Sequence, residues 1–236
     1  IVDSTALPEQ VADDVMISAF GSAGQRCSSL RLLFVQDVIA ERLIALLGGA
    51  LQERRLGDPA DPATDVGPVI DAEALAALED HVARMQREAR LIARGGPPQT
   101  AFNGHFMAPH IFELKAAGQL KEEVFGPILH LVRFKGDDLE NVIASIRAME
   151  FGLTLGLHSR IEDRWAQIFG EGLAGNMYVN RSMTGAVVGV QPFGGHGLSG
   201  SGPKAGGPYY LPRFANEWVC STNTAAIGGN ADLFRI

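Results

Sequence analysis

Apolar residues recur along this chain in two alternating rhythms. Residues 8–20, PEQVADDVMISAF, place Val11, Val15, Ala19 and Phe20 at helical spacing behind Pro8, a residue suited to a first helical turn. Gly21 and Gly24 close that helix. Residues 30–36, LRLLFVQ, form a continuous apolar run of strand length, the pattern of a strand buried on both faces. Helical spacing returns over 38–54, and GDPADPATDVGP (57–68) is a loop by composition. Asp71 then caps a helix reaching about Arg90.

The rest keeps the alternation. LIARGG (91–96), FMAPHIFEL (106–114), PILHLVRF (127–134), LTLGLHS (153–159) and GNMYVNR (175–181) read as strands, with helices over 139–149 and 162–169. Strands taking turns with helices predict an α/β fold: a mostly parallel sheet with helices on both faces. No internal repeat is present. After Arg181 the texture changes, and residues 183–208 are dense in glycine and proline and poor in charge. Val187, Val188, Val190 and Phe193 within them favour a structured loop over a linker. The tail, 214–236, alternates weakly at EWVCSTNT and could supply one strand that docks elsewhere.

Composition narrows the function. At 236 residues and 46% hydrophobic content the chain has ample material for a core. A net charge of −7 argues against nucleic acid as partner. Ser182–Pro203 is too rich in Gly, Pro and Ser to be a transmembrane segment. IVDSTALPEQ has neither the basic region nor the apolar core of a signal peptide, and its missing Met suggests a piece of a longer chain. Cys27 and Cys220 form no disulfide framework, so a reducing, cytoplasmic setting is expected.

Several patterns invite chemistry and fail. GHGLSG (195–200) matches G-x-G-x-x-G, but Pro192 before it and Pro203 after it leave no room for the strand and helix that the phosphate site needs. The histidines at 81, 105, 110, 130, 158 and 196 lack metal-ligand spacing and read as core or surface residues. Asp58, Asp61 and Asp65 lack the closing Glu of a calcium loop, so no metal is expected. GSAGQRCSSLR (21–31) is different. Cys27 stands among small residues beside Arg26 and Arg31, whose charge favours a thiolate. From the residues alone it reads equally as a nucleophile or as a small buried filler. Cys220, in the tail, reads as the filler.

Four segments in order resemble the catalytic half of the aldehyde dehydrogenase superfamily: GQRCSSLR, GDPADPATDVGPVI, EEVFGPIL and VNRSMTGAVVGVQPFGGHGLSGSGPKAGGPYYL. The last is similar to the 1-pyrroline-5-carboxylate dehydrogenases, in particular the dehydrogenase module of bifunctional proline-utilisation proteins. The resemblance implies NAD-dependent oxidation of L-glutamate γ-semialdehyde to L-glutamate. A thiolate adds to the aldehyde, hydride leaves to the cofactor, and water cleaves the remaining thioester. It implies Cys27 as nucleophile, and Glu123 and Phe125 as cofactor contacts at the nicotinamide end. Read without it, Glu123 is a solvated turn carboxylate. Backbone amides around Gly185 and Ala186, with Ser28, would bind the substrate's α-carboxylate. Phe193 would line the aliphatic stem, or else pack within its own loop.

The expected layout is a catalytic domain over 1–213, an anchor loop at about 183–208 and an oligomerisation tail over 214–236. The resemblance also implies that the dinucleotide domain, the general base and an oxyanion-hole asparagine lie upstream. This piece alone would then be inactive. A homo-oligomer and a fused proline dehydrogenase module are further implied for the whole protein. The competing readings are a dehydrogenase of another aldehyde with NAD or NADP, a cysteine-dependent acyltransferase or hydrolase, and a non-catalytic assembly module.

Overall fold

The computed structural model describes residues 1–99, 103–136, 138–223 and 226. Helix α1 spans Pro8–Phe20, and strand β1 (Leu32–Gln36) leads directly into α2 (Asp37–Gln52). Helix α3 (Ala72–Glu88) begins at Asp71, whose carboxylate accepts from the Ala74 N–H at 2.8 Å, so the predicted cap is made. Strands β2 (Arg90–Arg94), β3 (His110–Leu114) and β4 (Ile128–Phe134) follow, then α4 (Leu139–Ala148). The strand expected at 153–159 is β6 (Thr154–Leu157), and a short strand that was not expected, β5 (Phe151–Gly152), precedes it. Helix α5 (Glu162–Gly170), β7 (Asn176–Val179) and β8 (His196–Gly197) complete the order.

Four strands pair as β1-β4-β3-β2, with only the β2–β3 contact antiparallel. Strands β6 and β7 form a parallel pair. Val2 joins the two groups, since it bridges in parallel to Val35 at the end of β1 and to His158 just past β6. The result is one mostly parallel sheet.

Alternation along the strands sends side chains to two cores. Leu33, Val35, Ile111, Leu129 and Leu131 face α1 and α2, while Phe34, Phe112, Ile128 and Val132 face the side of α3 and α4. Burial on both faces explains the uninterrupted apolar runs of β1 and β4.

The glycine-rich segment is a structured loop, as predicted. Strand β8 pairs with β5, and Phe193 pairs with Ala205. No helix follows GHGLSG, in keeping with its rejection as a dinucleotide motif. Asp58, Asp61 and Asp65 accept from nearby backbone N–H groups of the turn (Ala60, Ala63 and Arg55), and Asp65 also pairs with Arg54 at 2.9 Å. In the tail, residues 215–223 belong to no strand; residues 224–225 and 227–236 of the expected extension lie outside the described residues. No described helix is long and apolar enough to cross a membrane.

Candidate active site

The sheet decides where the candidate residues meet. Cys27 lies five residues before β1, and Glu123 and Phe125 lie just before β4. Because β1 and β4 run parallel and pair directly, their entering loops share one edge of the sheet. Strands β6 and β7 start at the same edge, so Thr154 and Asn176 arrive there too.

The Cys27 loop enters under strain. Ser22 and Ala23 hold φ of 55° and 53°, left-handed values that cost non-glycine residues energy and that tend to gather at functional sites. Gly24 continues the turn at φ 66°, and a Cβ there would sit 2.1 Å from the Gly126 carbonyl oxygen. The cysteine loop and the EEVFGP loop therefore touch backbone to backbone.

Arg31 holds this contact together. Its guanidinium donates to the carbonyls of Gly24, Arg26 (3.0 Å) and Gly126 (3.4 Å). It pairs with Glu123 Oε1 at 3.3 Å and lies 4.8 Å from the centre of the Phe125 ring. Burial pushes the guanidinium below the ordinary arginine range, opposed by Glu123 and, less strongly, by Cys27. It remains a cation, as arginine does in proteins.

Cys27 itself is exposed, which removes the reading of a buried filler. Cys220 is exposed as well, a correction to its expected burial, and residues 215–223 around it are exposed too. Ser28 is buried, and its carbonyl oxygen accepts from the Thr154 hydroxyl at 3.4 Å. Among the described residues, the N–H groups of Cys27 and Ser28 have no acceptor. Glu123 and Phe125 are both well exposed beside Arg31. Nothing bonds Glu123 Oε2 among the described residues, which leaves it free to accept from ribose hydroxyls. The pair therefore fits an NAD ribose and nicotinamide.

Polar side chains add to the β5–β8 pairing in holding the anchor loop. Ser18, on the last turn of α1, accepts the Leu30 N–H on its carbonyl (2.9 Å) and the Met183 N–H on its hydroxyl (3.1 Å). One residue thus fixes both the cysteine segment and the root of the loop. Gly185 follows at φ 80°, exposed beside the half-buried Ala186. At the far end Asn176 clamps Phe193 from both sides, donating to the Pro192 carbonyl (3.0 Å) and accepting from the Gly194 N–H (3.2 Å). Lys204 donates to the Gly175 carbonyl and reaches Asn176 Oδ1 at 3.4 Å. Asn176 is the register partner of Thr154, so Ser28 and Phe193 are linked through two neighbouring strand residues.

Ser18, Arg31, Thr154 and Asn176 were not read from the sequence in these roles. Ser18 left one signal, a polar residue on the buried stripe three positions after Val15. Among the described residues, no cluster of three metal-ligating side chains occurs.

An exposed cysteine on a strained loop, tied through one arginine to a loop bearing a carboxylate and an aromatic ring at the same end of a parallel sheet, is the layout of a cysteine-centred α/β site. A profile of the Aldehyde dehydrogenase family matches residues 1–219, and the chain belongs to that family. It is 50% identical over 222 residues to the bifunctional protein PutA of Klebsiella aerogenes, covering 92% of this chain and 17% of the relative. A crystal structure of a Bradyrhizobium japonicum proline utilization A variant superposes with a TM-score of 0.89 at 60% identity, over 96% of this chain and 23% of that one. The Thermus 1-pyrroline-5-carboxylate dehydrogenase with bound NAD superposes at 0.81 with 34% identity, over 90% of this chain and 41% of that one. The chain thus spans less than a fifth of the length of the PutA relative.

Proposed function

We propose that this chain carries the nucleophile and substrate side of an NAD-dependent dehydrogenase that oxidises L-glutamate γ-semialdehyde, the open form of 1-pyrroline-5-carboxylate, to L-glutamate. The observation that carries the reading is the exposed Cys27 on a loop that Arg31 ties to Glu123 and Phe125. NAD, when bound, accepts the hydride that leaves the substrate carbon. Glu123 accepts hydrogen bonds from the ribose, and Phe125 walls the nicotinamide end. Cys27 adds to the aldehyde carbon, and its own N–H, free of any acceptor among the described residues, donates to the developing oxyanion. Water then cleaves the thioester with a base supplied from outside this chain.

At the other end of the substrate, the amides of Gly185 and Ala186 with Ser28 take up the α-carboxylate, and Phe193 packs on the aliphatic stem. Residues 1–213 serve as the catalytic domain. Most cofactor contacts belong to a part of the protein outside this chain. The whole protein is a cytoplasmic homo-oligomer joined to a proline dehydrogenase module. The oligomer is supported by the exposed Tyr209, Leu211, Phe214, Trp218 and Val219 at the start of the tail.

In the full-length enzyme, Cys27→Ala is expected to abolish aldehyde oxidation while the protein stays folded; near-normal turnover would refute the mechanism. Gly185→Val is expected to weaken the carboxylated semialdehyde more than a simple aliphatic aldehyde, and equal losses would remove the anchor-loop assignment.

A further inference from the structure

A chain of polar groups lies buried behind the cysteine loop. His81, on α3, and His130, on β4, bring their Nε2 atoms within 2.8 Å, with ring planes at 89°. His130 Nδ1 lies 3.1 Å from the Arg31 carbonyl oxygen, and Arg84 Nη2 lies 3.3 Å from His81 Nδ1.

The chemistry at the two ends fixes every proton. A carbonyl oxygen only accepts, so His130 Nδ1 carries a hydrogen. A guanidinium only donates, so His81 Nδ1 is bare. A neutral imidazole has one N–H, which places that of His81 on Nε2 and leaves Nε2 of His130 to accept. Both ends therefore demand the same polarity for the central contact. A second proton on either ring would set two N–H groups face to face, or one against Arg84. Burial acts in the same direction, pushing the pKa of His81 down to about 4 and that of His130 to about 3. The Arg31 oxygen already receives the His130 backbone N–H at 3.0 Å, so the ring adds a second donor and orients the peptide plane.

We propose that Arg84, His81 and His130 form a one-way hydrogen-bond chain that positions the Arg31 backbone, and through it the guanidinium clamp on the Cys27 loop and Glu123. The three are positioning residues; the proposal rests on Cys27 being the nucleophile and not on the identity of the aldehyde.

The test uses the full-length enzyme and follows iodoacetamide alkylation at the Cys27 peptide beside kcat and KM. Asparagine at 130 places an amide donor where Nδ1 sits, whereas glutamine places it where Nε2 sits. H130Q, which loses the bond to Arg31, is expected to slow alkylation about fivefold, the value of one buried hydrogen bond, with H130N within about twofold of the parent. Equal losses, no loss in either, or a larger loss in H130N would each overturn the proposal. Should the His130 variants fail to fold, H81Q retains an N–H toward His130 and H81L does not. H81L is then expected to be the slower, and equal rates would overturn the proposal. Alkylation requires neither aldehyde nor NAD, so its outcome is independent of the substrate assignment.

Discussion

The cysteine edge and the anchor loop lie side by side but are held in different ways. The Cys27 loop is locked to the EEVFGP loop by backbone contact at Gly24 and Gly126 and by Arg31, which reaches three carbonyls, a carboxylate and a ring. The loop over 183–208 is pinned at its root by Ser18 and in its later part by Asn176, Lys204 and the pairing of β8 with β5, with Val187, Val188 and Val190 exposed between. The difference matches the two tasks proposed for these regions. A nucleophile has to meet its partners within a fraction of an ångström, so it is built on paired parallel strands. The stretch proposed for recognition can be exchanged without disturbing the sheet, so residues 187–190 stand exposed between two anchored parts of the loop.

The contrast can be broken from either side. The largest expected effect is at Cys27, where Cys27→Ala removes turnover yet leaves the melting temperature unchanged, because the side chain is exposed. Next is Gly24→Ala. Its methyl group would enter the Gly126 carbonyl, and the positive φ adds a cost of about 1 kcal/mol or more, so both melting temperature and Cys27 alkylation should fall. If Gly24→Ala keeps normal stability and alkylation, the two loops are not locked as described.

Asn176→Ala should act on the loop alone. Loss of its two backbone contacts loosens Phe193, which keeps its pairing with Ala205, so KM for the carboxylated semialdehyde should rise about tenfold while Cys27 alkylation stays near normal, as for loss of one or two hydrogen bonds. Equal effects on both readouts would mean that the two regions are a single unit.

The smallest effect is on stability at acid pH. His81 and His130 titrate near 6.5 when unfolded and near 4 and 3 when folded, because burial disfavours the charged ring. Their neutral packing is fully compatible with the fold above about pH 6.5 and is opposed progressively as pH falls toward 3, since the unfolded chain then binds the protons more tightly. At His130 the Arg31 carbonyl opposes this by accepting the ring N–H, while the charges of Arg84 and Arg31 push the same way as burial; at His81 Arg84 pushes down and Glu88 opposes it. Thermal melting of the parent and of H81L between pH 7 and 5 checks this, with the shallower slope expected in H81L.

Much of the fold was legible in the chain because burial on two faces leaves a pattern one residue at a time. The runs LRLLFVQ and PILHLVRF could only be buried strands, Pro8 and Asp71 marked helix starts, and Pro192 and Pro203 disqualified the glycine motif between them. The strand expected at 153–159 formed as β6, but β5 just before it was not legible, because it pairs with β8 and nothing local announces a partner 44 or more residues away. Glu123 shows the same limit: alone it reads as a solvated turn carboxylate, and only the pairing of β1 with β4 sets it against Arg31 and the Cys27 loop.

By itself the sequence determined the alternation of helices and strands, the family resemblance, and the chemical types at the site: one thiol between arginines, one carboxylate before a Phe-Gly-Pro turn, one glycine-rich loop. Those are local properties, carried by residue identity and spacing. Tertiary structure alone decided that Cys27 is exposed, that Arg31 clamps it to Glu123, that Ser18 and Asn176 carry the loop, and that His81 meets His130. Each of those depends on which strands lie side by side, and strand order is settled by the packing of the whole sheet, which no short stretch of sequence encodes.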